Sequence, residues 1–186
     1  MKNLKINNNG PCYGNYRAKV LDNLDPLKLG RVKLEIYPIL IGIEADFLPW
    51  ATPAMPIFDG AGLNTGSFIV PKNDTMVYCF FENGDIYQPV FFAEATDGKK
   101  GLPTSREINY PNRKVWRTDS GIEVFIDDTE QEVYIYHPST TDIKIDKSGN
   151  IDINGNKDIS VIVKGNANIS AIGNIIISGA SVNINP

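Results

Sequence analysis

Apolar and polar residues alternate with a period of two along most of the chain, which is strand periodicity. The clearest case is Gly30–Tyr37, where Val32, Leu34 and Ile36 fall on one face and Arg31, Lys33 and Glu35 on the other. Similar runs predict strands within Cys12–Asp22, Ser67–Val70, Thr75–Phe81 and Ile86–Glu94. The stretch Pro49–Pro56 carries prolines at 49, 53 and 56, which restrict it to an edge strand or an extended segment. Breaks fall at Asn23–Leu29, which contains Asp25-Pro26, at the Pro-bounded loop 38–48, at the Gly-rich connection Asp59–Gly66, and at Pro71–Asp74. Glu82-Asn83-Gly84-Asp85 contains Asn-Gly, the strongest short hairpin signal. Short strands separated by such turns predict a small closed barrel. Residues 97–111 read as a linker; Lys114–Thr118, Ile122–Ile126 and Glu132–Tyr136 then read as further strands, the last two forming a hairpin around Asp127–Gln131.

From Ile143 onward the alternation acquires a second, longer period. Aligned on eight residues, the chain reads IKIDKSGN, IDINGNKD, ISVIVKGN, ANISAIGN, IIISGASV and NINP. Gly149, Gly165 and Gly173 share one position, with Lys157 as the exception, and Asn150, Asp158, Asn166 and Asn174 share the next. A fixed internal period marks a solenoid or an array, and here each unit is one short strand followed by turn chemistry. One chain cannot bury so thin an isoleucine row, and eight residues are too few to close a single-chain coil. Three chains winding around one axis resolve both difficulties, each supplying one side of a triangular prism. This places Ile151, Ile153, Ile159, Val161, Ile169, Ile175 and Ile177 in a trimer core. Ile162, Ile172 and Ile176 fall outside that phase. The ordinary alternative is an antiparallel sheet with polar hairpins.

Composition narrows the functional classes. The 186 residues suit one or two domains, and 42% hydrophobic with 22% charged residues fits a globular chain. A net charge of −4 gives no basic face for nucleic acid. No apolar run approaches a membrane-spanning helix, and the polar, Asn-rich start reads as a flexible arm rather than a secretory signal. Cys12 and Cys79 are the two cysteines; neither has a metal-ligand neighbour at suitable spacing, and reduced thiols are expected. The single histidine, His137, sits beside Pro138 at a strand end and reads as a surface or packing residue. Asp127, Asp128 and Glu130 could act as paired carboxylates on a glycan, but adjacent strand residues point to opposite faces, so a solvated turn is expected. Trp50 and Trp116 are expected as core or interface anchors. No catalytic, cofactor-binding or metal-binding residue is assigned.

The order of these stretches resembles a known family, the central spike proteins of contractile phage tails and related injection systems, including the valine-glycine repeat spikes of type VI secretion. The matching stretches are Asp25–Tyr37, Leu48–Pro56, Gly66–Val90 and Arg117–Tyr136. The resemblance implies an all-β chain with an OB-fold domain over 12–96, a linker over 97–113, a β-hairpin neck over 114–142 and an intertwined triple-stranded β-helix over 143–186, after an N-terminal arm over 1–11. It further implies a non-enzymatic homotrimer at the baseplate of a virion or injection particle, made in the bacterial cytoplasm. Its expected partners are baseplate hub and tail tube proteins, a separate small tip cap seated at Val182 and Ile184, and the target cell envelope on contraction. The chain departs from some relatives in lacking a lysozyme-like domain and a metal-binding His-x-His pair. Phage, bacteriocin and secretion system remain open as sources. A tail-associated glycan hydrolase or receptor-binding fibre is the alternative function, and an OB-fold nucleic-acid binder a more remote one.

Overall fold

The computed structural model describes residues 10–57, 60, 64–96 and 102–183. The chain divides into two compact units, Met1–Thr104 and Ser105–Pro186.

The first unit is a closed barrel. Its strands are β1 (Tyr16–Asp22), β2 (Val32–Tyr37), β3 (Trp50–Pro53), β4 (Met76–Phe81) and β5 (Pro89–Glu94), in the closed order β1-β2-β3-β5-β4. The β3–β5 pair is parallel and the others antiparallel, with β4 returning to β1 to close the ring. Alternation explains the core: Ala18, Val20, Val32, Leu34, Ile36, Ala51, Val77, Cys79 and Phe81 all point inward and are buried. Closure leaves no sheet edge unpaired. Cys12 lies just ahead of β1, buried, and its N–H donates to Gly84 O at 2.9 Å. Burial pushes the Cys79 thiol up to about 12.

The structure departs from simple alternation at several points. Lys33 is buried on the polar side of β2, because its ammonium sits 5.0 Å from the centre of the Trp50 ring and donates to Asp46 O at 3.3 Å. Ser67–Val70, expected as a strand, forms none; Pro71, immediately after it, cannot donate to a ladder, and Asn23 Nδ2 instead donates to Pro71 O at 3.0 Å. Asn83-Gly84 turns the chain as expected, but within a 3-10 turn over Glu82–Gly84 in which Asn83 adopts φ 52°. Gly84 (φ 75°) is required there, since a Cβ would lie 2.8 Å from Pro11 Cβ.

The second unit is an open five-stranded meander. Its strands are β6 (Arg113–Arg117), β7 (Glu123–Asp127), β8 (Glu132–His137), β9 (Thr141–Ile145) and β10 (Ile151–Asn154), each antiparallel to the next. The first two octads are therefore an antiparallel hairpin that continues this sheet. Its turn is fixed by Asp146, whose carboxylate accepts N–H groups from Ser148 (2.8 Å) and Asn150 (2.9 Å) and the Asn150 Nδ2 (2.8 Å). Those bonds, led by the Asn150 amide, lower the Asp146 pKa. Gly149 closes the turn at φ 81°. No later octad has an acid four residues before its Asn, and among residues 155–183 no strand forms and every residue is exposed.

Candidate assembly interface

Register decides what each face of the meander carries, because residues opposite one another in a ladder share a face. One row runs Trp116, Val124, Ile135, Ile143, Ile153, and the next Lys114, Ile126, Val133, Ile145, Ile151. Apart from Lys114 at one edge and the His137–Thr141 pair at one end, this face is apolar from one edge of the sheet to the other. Nothing in the chain covers it among the described residues: exposure of its large side chains ranges from 40% at Val133 to 74% at Trp116, with only Val124 lower. A continuous apolar surface of this kind marks an interaction site.

The opposite face is polar and largely covered. It carries Arg113, Asp127 and Glu132 in one row, Val115, Phe125, Tyr134, Lys144 and Asp152 in the next, and Arg117, Glu123, Tyr136, Asp142 and Asn154 in a third. Residues 105–112 lie over it, with Ser105 Oγ donating to Glu123 Oε2 at 2.9 Å and Asn109 Nδ2 to Asp127 Oδ2 at 3.0 Å. Arg113 is central: its Nε donates to Asp127 Oδ2 at 2.7 Å, its Nη2 approaches Glu132 at 3.7 Å, and its guanidinium lies 4.1 Å from the centre of the Phe125 ring. Phe125, Tyr134 and Tyr136 continue the packing as ring neighbours 5.1 Å and 6.2 Å apart.

Asp127 is fully buried in this network, not in the solvated turn that its sequence neighbourhood predicts. Burial by itself raises its pKa. Hydrogen bonds from Asn109, Arg113 and the backbone N–H groups of Glu130 and Thr129 outweigh that and bring it down to about 2. The carboxylate is saturated with donors and locked in a structural role, so it is poorly placed to act as an acid, base or ligand. Asp128 points the other way, exposed and paired with Lys114. The two carboxylates do not converge on one substrate position. His137 Nδ1 engages Ser139 Oγ at 2.8 Å in an exposed turn. Among the described residues, no group of three or more His, Cys, Asp or Glu side chains could hold a metal ion.

Of the residues assigned from sequence to a trimer core, Ile151 and Ile153 lie on the apolar face of the sheet. Ile159, Val161, Ile169, Ile175 and Ile177 follow in the exposed stretch beyond it, as does Val182; Ile184 lies outside the described residues. The octad pattern could not reveal that the same face reaches back through Ile143, Ile135 and Val124 to Trp116. Those residues sit in separate runs whose phases become comparable only once the register is known. Trp50 is half-buried between Arg31 and Lys33 in the barrel, whereas Trp116 is a surface residue.

Residues 16–94, which span all five barrel strands, match the family of type VI secretion system/phage-baseplate injector OB domains. No curated protein matches the chain.

Proposed function

We propose that the chain, whose barrel matches the type VI secretion system/phage-baseplate injector OB domain family, is the central spike of a contractile injection machine, working as a homotrimer. The observation that carries this reading is the uncovered apolar face from Trp116 to Ile153, which runs directly into the octads. The occupant that best fits it is the same face of further copies. The octad period continues the apolar row beyond the sheet, and a repeat with no covering segment of its own buries that row only against itself. Three copies set around an axis enclose Ile135, Ile143 and Ile153, then Ile159, Val161, Ile169, Ile175 and Ile177. Main-chain hydrogen bonds between chains then replace those that residues 155–183 lack within one chain.

The work of such a spike is mechanical. Sheath contraction drives it against the target envelope, and a needle whose strands pair between chains resists bending because many bonds must break together. The barrel is the part that joins the baseplate hub and the tail tube, and Val182 is a contact for a separate tip protein. No catalytic step is assigned. The buried, saturated Asp127 and the divergent Asp128 favour this over hydrolysis of a glycan.

Native mass spectrometry of the full-length chain tests the assembly. A single species at three times the 20.5 kDa chain mass is expected, and a folded monomer or dimer would sink the architecture.

A further inference from the structure

The dipeptide Asn-Gly occurs three times in the chain, at Asn9-Gly10, Asn83-Gly84 and Asn154-Gly155. Asn9 lies outside the described residues; the other two pairs stand in opposite surroundings. Besides marking turns, this dipeptide has a chemistry of its own. The backbone nitrogen of the glycine can attack the side-chain carbonyl carbon of the asparagine, because no Cβ obstructs its approach. Such an intramolecular step proceeds only where the backbone is free to bring the two atoms together.

Asn83-Gly84 is held away from that geometry. Asn83 is fixed at φ 52° and ψ 19° inside the turn Glu82–Gly84, and Gly84 is buried. The Gly84 carbonyl accepts the Cys12 N–H at 2.9 Å, and Pro11 crowds its Cβ position at 2.8 Å. The segment is pinned and cannot swing towards the Asn83 side chain. Asn154-Gly155 carries no such restraint. Asn154 ends β10, an edge strand with one neighbour, and Gly155 follows where no strand forms. Both residues are exposed. The Gly155 N–H has no hydrogen-bond partner among the described residues, whereas the next N–H, of Asn156, donates to Thr141 Oγ1 at 3.3 Å. A single bond anchors the Asn154 side chain, from Nδ2 to Asp142 Oδ2 at 3.1 Å. Gly155 also breaks the repeat, since the octads place glycine at 149, 165 and 173 and this unit has Lys157 at that position. A Cβ at Gly155 would lie 2.8 Å from Ile159 Cγ1, so packing of the following octad retains the glycine.

We propose that Asn154-Gly155 is a site of spontaneous modification, at which Asn154 loses its amide and the β9–β10 hairpin loosens. The Gly155 nitrogen forms a bond to Asn154 Cγ. The Cγ–Nδ2 bond breaks, and ammonia leaves with the proton from the Gly155 nitrogen. Water then opens the cyclic imide, at Cγ to give aspartate or at the backbone carbonyl to give isoaspartate; nothing is oxidised or reduced. Either product replaces a donor by a carboxylate opposite Asp142, its ladder partner, and like charges directly opposite destabilise a strand pair. Isoaspartate also adds a methylene to the backbone between the sheet and the octads, which disturbs the alternation that sets the phase of the side chains beyond it. Asn154 shares the polar face of the sheet with Asp142, so the site does not depend on the trimer.

Peptide mapping by mass spectrometry tests this on the folded full-length chain, sampled over time in mildly alkaline buffer. Asn154 should lose its amide about tenfold faster than Asn83 or more, a modest difference in barrier. Labelling with an isoaspartyl methyltransferase should show isoaspartate at position 154 in excess of aspartate. In guanidinium, where both segments are freed, the two rates should converge. No reaction at Asn154, comparable rates in the folded chain, a lead for Asn154 that persists unchanged in guanidinium, or aspartate without isoaspartate overturns the proposal. The structural consequence has its own readout. Asn154→Asp carries the new charge without the added methylene, and it should speed hydrogen exchange of the Ile151–Asn154 amides several-fold while leaving the barrel strands as they are. Unchanged exchange in β10 overturns the loosening of the hairpin.

Discussion

In the barrel, Val32, Leu34 and Ile36 alternate with polar residues and are at most 2% exposed; in the meander, Ile135, Ile143 and Ile153 alternate as regularly and are at least 41% exposed. The side chains and the spacing are alike, so neither composition nor strand propensity accounts for the difference. Closure does. The β4–β1 ladder returns the barrel onto itself, and the inward row of each strand faces the inward rows of the others. The meander adds strands in one direction and never returns, leaving one face without a layer to pack on, although a stable domain needs at least two. Its polar face has found a cover in residues 105–112 and its apolar face has not. A binary pattern therefore reports which residues must be buried, while topology decides whether one chain suffices to bury them.

The sharpest way to break this comparison is to put charge on each face of the sheet. Ile143→Asp or Ile153→Asp would bring like charges from every copy into one dry interior, where an unpaired charge is very costly. We expect the proposed trimer to be lost in native mass measurements. Asp152→Asn, one residue away on the opposite face, should leave it intact. If Ile153→Asp and Asp152→Asn behave alike, the inward phase is wrong.

Core truncation should separate the units by a different criterion. Ile36→Ala, in the closed barrel, should destabilise by about 2–5 kcal/mol, as large-to-small core changes do, without altering the number of chains. Asp127→Ala should cost on a similar scale, about 3–5 kcal/mol, because it strands a buried Arg113. Thermal melts combined with native mass spectra check both. If the chain is the proposed trimer, a barrel change that dissociated it would show that the barrel depends on the other copies for burial.

A smaller effect follows from pH. The Asp127 pKa is depressed in the folded chain, to about 2, so the ionised carboxylate stabilises the fold at any pH above its unfolded value near 4. That contribution should fade as pH falls from about 4 to about 2. Asp25, held low by Arg31, should behave in the same sense in the barrel. Denaturant midpoints followed by Trp fluorescence across this range should fall for the wild type and stay flatter for Asp127→Asn. An equal slope in both would remove Asp127 from the acid sensitivity.

Much of the barrel is legible in the sequence because its strands are short, regular and separated by Pro, Gly and Asn. Lys33 was not, since nothing local announces that Trp50 will lie beneath its ammonium. Nor was the burial of Asp127, whose partners Asn109 and Arg113 come from a stretch that reads as linker and strand start. The octads disclosed the apolar row of the tail and a turn at Gly149-Asn150, but not that this turn folds the chain back as an antiparallel hairpin. Asp146, the acid that makes that turn a hairpin, looks in sequence like one more polar residue on an outer face. Ile162, Ile172 and Ile176, outside the inward phase, are exposed like the rest of residues 155–183, and nothing in the structure explains why they are isoleucine.

The finest distinction lies between two glycines that look equivalent in the repeat. Gly149 has φ 81°, and open space surrounds its Cβ position. Alanine there meets only backbone strain, on the order of 1 kcal/mol, and that strain belongs to one chain. Gly165 does not use a left-handed conformation, and a Cβ there would also meet nothing within its own chain. Neither reason for glycine applies at Gly165 while the chain is alone. If copies wind closely around one axis, the missing Cβ is explained by a neighbouring backbone. Gly165→Ala should then lower the melting temperature of the assembled trimer by a few degrees, a loss of about 1 kcal/mol, and should do so reversibly with protein concentration. Gly149→Ala should cost about as much, but as strain within one chain that does not depend on a neighbouring copy. A neutral Gly165→Ala would mean that no chain approaches this corner, and the close three-chain winding of the octads would have to be abandoned there.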